Sequence, residues 1–416
     1  MKTKIFILTV LLISGLAFSC QKTDGIDDKE ETLMPKSIEL PTYANEVLSS
    51  ANNFGISLFA DVAGEEEKNI MLSPLSATIA LNMAMNAANG NTFSQIRDML
   101  GYGNLTQDEI NELYQSLVKQ LLEADNKVTL NLANAMFYRN SFPVKAPYKE
   151  TMQNVYQAET EGLDFGDVVN SLKRINGWAS DNTNKKIDKV LTNISSDAVM
   201  FLLNAVYFKG NWTQQFEKDN TQDLVFTLSN NEEIQVPTMS GKIALRAFNG
   251  NGYSAYELSY GRDNFVMDLI LPERDLSAFL NDFDRELYTE MVSGIDQQEE
   301  KEEYNVFLPK FKFKYEKELN DNLKELGMVD AFNETADFSN LSNIPTYISF
   351  VKQNTFVDVN EEGTEAAAVT TIGFVLTSAG GGTPTVHIDK PFVFAIRERT
   401  TNTLLFIGTV YNPLDE

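Results

Sequence analysis

The chain has 416 residues and a formal net charge of −25, with 59 acids against 34 Lys and Arg. That balance disfavours nucleic acid and anionic membranes, whose recognition needs clustered cations. The single cysteine, Cys20, and single histidine, His387, exclude an internal disulfide and leave too few ligands for a Cys/His zinc site. A Ser-His-Asp triad would have to use His387, and a lone histidine beside a loop reads as structural. The acids keep a carboxylate hydrolase open in principle, but no pair of them stands out. No cofactor or metal is expected.

In chain order, Lys2 and Lys4 precede the apolar run Ile5 to Leu16, which gives way to Ala17-Phe18-Ser19-Cys20. This reads as a secretory signal over residues 1–19, too short for a permanent membrane span. Cys20 is either incidental to an ordinary signal or lipidated, since its place after Ser19 resembles the lipobox of bacterial lipoproteins. The second reading is preferred because Cys20 is the only cysteine. Removing residues 1–19 takes away Lys2 and Lys4 and no acid, so the charge becomes −27. Residues 20–40 are polar, poor in aromatics and acid-rich at Asp24, Asp27, Asp28, Glu30 and Glu31, the composition of a flexible tether. An acidic stretch behind such a cysteine resembles the surface-export signal of Bacteroidetes lipoproteins. That resemblance implies an exported, outer-membrane, cell-surface protein touching the membrane only through its lipid.

From residue 41 onward no linker divides the chain. Ser73-Pro74-Leu75-Ser76 opens an Ala-, Leu- and Met-rich run to Ala88 that predicts a buried helix. Val128 to Tyr138 alternates and predicts a strand. Asp164 to Asp181 predicts a turn and an amphipathic helix. Further strands are expected over Met200 to Lys209, stopped by Gly210, and over Asn264 to Leu271, closed by Pro272. The pattern returns at Val306 to Phe311 and at Ile348 to Val359. Early helices followed by spaced strands indicate one α+β domain.

Residues 361–386 form a long segment without clear elements, and such loops are functional or disordered. In steps of two, Thr364, Ala366, Ala368, Thr370, Ile372 and Phe374 make an uncharged set, while the alternate set begins with Glu365. The alternation fits a strand with small residues at its start. A disordered loop with chance alternation fits it equally.

Here the sequence resembles the serpin family. Glu361-Glu362-Gly363-Thr364-Glu365-Ala366-Ala367-Ala368 is similar to the family's hinge, where the reactive loop leaves the central sheet. Asn69 to Ser76 (NIMLSPLS), Asn204 to Trp212 (NAVYFKGNW) with Phe216, and Leu308-Pro309-Lys310-Phe311 are similar to other family blocks. So are Leu326-Gly327-Met328, Asp337-Phe338-Ser339, Lys390 to Phe394 and Phe406 to Pro413. The series covers about residues 41–416 in unbroken order.

The resemblance implies a serpin fold of three β-sheets with eight or nine helices, a monomer with an exposed reactive-centre loop at about 361–386. It implies a suicide substrate: a protease cuts the loop, forms an acyl-enzyme and is trapped when the cut loop enters the central sheet. Counting from the hinge residue Glu361 places the reactive bond at Thr377-Ser378, with Leu376-Thr377 the competitor. Neither is basic, which points to elastase-like, chymotrypsin-like or subtilisin-like targets. Ser73, Ser76 and Asn204 match a polar cluster under the sheet opening, where Gln353 stands in place of the family's usual histidine. Trp212, Lys310 and Glu361 match the group where insertion starts. The competing expectation is a non-inhibitory surface lipoprotein that binds ligands on a serpin scaffold.

Cys20→Ala is expected to move the chain from the membrane to the soluble fraction without changing its behaviour toward proteases. Fractionation of cells expressing both forms checks this, and a wholly soluble wild type would rule the anchor out.

Overall fold

The computed structural model describes residues 35–364 and 383–415. The first half forms α1 (Ala44–Glu65), β1 (Ile70–Leu72), α2 (Pro74–Ala87), α3 (Gly90–Met99), α4 (Gln107–Leu122), β2 (Val128–Arg139), α5 (Ala146–Asn154), β3 (Glu159–Leu163) and α6 (Val168–Asn182). Next come β4 (Met200–Asn211), β5 (Gln222–Thr227), β6 (Glu233–Gly250), β7 (Tyr253–Tyr260), β8 (Phe265–Pro272), α7 (Leu276–Leu280) and α8 (Arg285–Asp296). The chain ends with β9 (Glu302–Pro309), β10 (Phe311–Glu318), α9 (Asn320–Glu325), β11 (Lys352–Asn360), β12 (Gly363–Thr364), β13 (Thr385–His387), β14 (Phe392–Glu398) and β15 (Thr403–Val410). The α+β class and the nine α-helices among the described residues agree with the sequence reading.

One sheet has six strands in the order β10-β11-β12-β4-β2-β3. The other nine strands join through β6, whose Thr238–Leu245 half pairs with β9 while Arg246–Gly250 pairs with β7. Two of the three expected sheets therefore share one 18-residue strand. Helix α2 lies between the sheets, against β4 and β15. Ser73 caps it by accepting from the Ser76 amide, and Pro74 occupies its first turn, where no backbone donor is needed. Being apolar nearly all round, it is buried nearly all round. Helix α6 covers the opposite face of the six-stranded sheet, placing Ile175 and Trp178 among Phe137, Phe165 and Phe201.

Three expectations change. Gly210 does not stop β4, which runs on to Asn211 because the glycine admits a close neighbour. The Val306 to Phe311 signal is two strands, β9 and β10, which part at Lys310 into different sheets. The segment at Lys36–Glu39, assigned to the tether by composition, is docked on the body. Asn264 and Gln120 each grip a backbone from both sides: Asn264 binds the amide and carbonyl of Lys36, and Gln120 those of Glu39. Two side-chain carboxamides thus supply a partner strand's hydrogen bonds, a device that composition does not reveal.

The nine-stranded sheet encloses a charge cluster. Arg397, with 0% side-chain exposure, donates to Glu257 at 2.6 Å and to Asp268 at 2.8 Å. Burial pushes the Asp268 carboxyl up to about 6 despite Arg397, since that cation is shared with Glu257. The folded chain thus takes up a proton at Asp268 below about pH 6, where the unfolded chain does not until about pH 4. This group's contribution to stability therefore falls as pH rises through that window. Asp268→Asn should gain on wild type by on the order of 2 kcal/mol between pH 4 and pH 7. Urea unfolding of both proteins across that range measures the difference, and a pH-independent difference would refute the shift.

Candidate functional site

The segment Asn360 to Thr364 enters the six-stranded sheet at one end. Gly363 and Thr364 pair with Asn211 and Gly210 of β4 on one side and with Asn360 and Val359 of β11 on the other. Gly363 has φ +150°, and a Cβ there would overlap the Gly210 carbonyl oxygen. Glycine is needed for both reasons. The turn before it is held from β4's end: the Trp212 amide donates to Glu362 O at 2.8 Å and the Phe216 amide to Glu361 O at 2.9 Å. Trp212 Nε1 donates to Asn360 O at 3.0 Å. The indole stacks on Tyr260, with ring centroids 4.4 Å apart and planes 11° from parallel.

The two acids at this entrance are both partnered. Lys310 Nζ lies 3.0 Å from Glu361, which also accepts from Thr221 Oγ1 at 2.8 Å. Burial pushes the Glu361 carboxyl up, but hydrogen bonds from its own amide, Thr221 and Lys310 outweigh this and hold it below the usual carboxylate range. Lys218 Nζ lies 2.5 Å from Glu362.

Beyond the hinge, β4 and β11 continue on either side of a cavity of about 470 Å³, backed by α2. Ser73, Ser76, Asn204 and Gln353 all line it. Gln353 grips Ser73, accepting from its amide at 3.1 Å and donating to its carbonyl at 2.7 Å. The carboxamide thereby ties β11 to the start of α2. Asn204 turns instead to Asn134 of β2, donating to Oδ1 at 2.7 Å. Asn204 Oδ1 is buried with no hydrogen-bond partner among the described residues. The four residues border one space without forming one network.

His387 is an exposed residue of β13, stacked on Phe307 at 4.2 Å. Of the other residues singled out by sequence, Cys20, Glu365, Ala366, Ala367, Ala368, Leu376, Thr377 and Ser378 lie outside the described residues. Sequence reasoning missed Tyr260, Thr221, Lys218 and Asn134. Tyr260 is the most consequential: its hydroxyl meets that of Thr364, 104 positions away, and no local pattern signals a pairing so distant.

The comparisons place this arrangement. The family model described as "Serpin (serine protease inhibitor)" matches residues 49–413. The chain belongs to the serpin family. It is 34% identical over 378 residues to Serpin B6 of Pongo abelii, covering 88% of this chain and 100% of that one. Among solved structures, the native state of the thermophilic serpin tengpin resembles it with a TM-score of 0.80 and 28% identity, over 91% of this chain and 96% of that one. A thyroxine-binding globulin complexed with thyroxine gives a TM-score of 0.79 at 25% identity, over 88% and 99% of the two chains. The first four residues of the segment that resembles the serpin hinge, Glu361 to Thr364, are the ones that enter the sheet between β4 and β11.

Gly363→Ala is expected to expel the hinge from its slot and lower stability by on the order of 1–3 kcal/mol, the range for residues forced into sparsely populated backbone conformations. Denaturant unfolding measures it, and an unchanged midpoint would mean that the backbone relaxes without loss.

Proposed function

We propose that this serpin is a single-use inhibitor of serine-type proteases, trapping the acyl-enzyme as its cut loop becomes a strand between β4 and β11. The carrying observation is the register of β12. Counting on from Thr364 opposite Gly210 and Val359, Ala366 would fall between Phe208 and Val357, and Ala368 between Val206 and Thr355. Thr370 would fall between Asn204 and Gln353, the two polar residues that border the cavity. There its hydroxyl could donate to Asn204 Oδ1, which is unpartnered among the described residues. Thr364 is buried, so residues in step with it would face the core, and that set carries no charge.

Strand addition of this kind supplies its own driving force. Each new ladder hydrogen bond contributes about 0.5–1.5 kcal/mol net, so a dozen with side-chain burial give on the order of 10 kcal/mol, comparable to the stability of an ordinary domain. An inserted segment of about 15 residues at about 3.3 Å each would carry the attached protease on the order of 50 Å. The reactive bond is Thr377-Ser378, or Leu376-Thr377, and the uncharged residues there suit elastase-like or chymotrypsin-like and subtilisin-like pockets. The chain acts as a monomer, exported and held at the cell surface by lipid on Cys20.

A second reading, a binding protein on the same scaffold, is favoured by the likeness to thyroxine-binding globulin with its thyroxine. Incubation with pancreatic elastase separates the two. The inhibitor gives a covalent, detergent-resistant band on a gel, and a passive scaffold gives none. Thr364→Arg, which would bury an unpaired cation at the first inserted position, should abolish the band while the loop is still cut. An undiminished band in Thr364→Arg would overturn insertion as the mechanism.

A further inference from the structure

Thr364 is 4% exposed, and its hydroxyl lies 2.6 Å from that of Tyr260 at the end of β7. Tyr260 is wholly buried, stacked on Trp212 and set edge-on to Phe208 with centroids 5.1 Å apart. It reaches under the hinge because Gly210 lacks a side chain: a Cβ there would stand 2.9 Å from both the Tyr260 and Phe208 rings. Among the described residues, neither hydroxyl has another hydrogen-bond partner. A buried hydroxyl without a partner is expensive, so each selects for the other. Burial holds the phenol far above its usual range, so its hydroxyl stays protonated around neutral pH.

We propose that Tyr260 is a positioning residue for the hinge: its hydroxyl holds Thr364 seated between β4 and β11 in the uncut chain. Strand addition then starts from a seeded ladder instead of having to open the sheet and place its first residue. The consequence for inhibition rests on the reading above, whereas the seating itself does not.

Hydrogen exchange in the uncut chain tests the seating without any protease. Loss of one buried neutral hydrogen bond shifts a seated-to-released ratio by on the order of tenfold. Tyr260→Phe, which keeps the ring stacked on Trp212, should therefore speed exchange of the Gly363 and Thr364 amides about tenfold. Thr364→Val should do the same, the double variant should add nothing further, and Thr364→Ser, which restores a hydroxyl, should return exchange toward wild type. With elastase, Tyr260→Phe should yield several-fold more cut chain per covalent complex, since insertion starts later relative to deacylation. Unchanged exchange in Tyr260→Phe, or additive effects in the double variant, would overturn the seating. Faster exchange in a protein whose wild type gives no covalent band would uphold the seating and overturn the inhibitory reading instead.

Discussion

A strand inside a sheet needs a partner on each side, because buried backbone donors and acceptors left unpaired are costly. In the six-stranded sheet the strand between β4 and β11 is two residues long, Gly363 and Thr364, and much of the surrounding chemistry follows from that junction. Two backbones meet where Gly363 lies against the Gly210 carbonyl: a Cβ on Gly363 would overlap that oxygen, and one on Gly210 would press on the Phe208 and Tyr260 rings. Two acids precede the junction at Glu361 and Glu362, and Lys310 and Lys218 neutralise them so that the turn can sit against the protein. Below it, small alanines of α2, among them Ala77, Ala80 and Ala84, line the cavity of about 470 Å³.

What was legible in the sequence was mostly local. The alternation of β11 follows from one face meeting the core, and the near-continuous apolar run of β8 from burial on both faces. The Ser73-Pro74 start of α2 announces itself by capping chemistry. The entry of Gly363 and Thr364 into the sheet was signalled by resemblance to family blocks, since alternation alone fitted a disordered loop equally. What stayed hidden depends on pairs far apart in the chain. Nothing near Lys36 indicates that Asn264 would clasp it, and nothing near Asn204 predicts that Asn134 would draw it away from the serines. The division of Val306 to Phe311 between two sheets was likewise unreadable, because both strands are apolar and the break at Lys310 is set by tertiary pairing.

The two sheets are stabilised in different ways. The six-stranded sheet has apolar clusters on both faces and a cavity at its centre, so little polar interaction holds β4 and β11 together beyond the hinge. The nine-stranded sheet instead locks Arg397 between Glu257 and Asp268, a buried group in which losing one partner strands the others. One sheet borders an unfilled space, whereas the other is closed around its charges. The shared strand β6 joins the β9 and β7 sides of that sheet into one ladder.

Gln353 has a consequence for the environments in which such a molecule can work. An imidazole at that position would gain and lose a proton around neutrality and would hold Ser73 by different bonds in its two forms. A carboxamide has no proton to exchange in that range, so the tie between β11 and α2 keeps the same strength in acidified and neutral surroundings. The one imidazole in the chain lies on β13, stacked on Phe307 and outside the cavity wall. The contact between β11 and the start of α2 is, in this member, free of any group that titrates near neutrality.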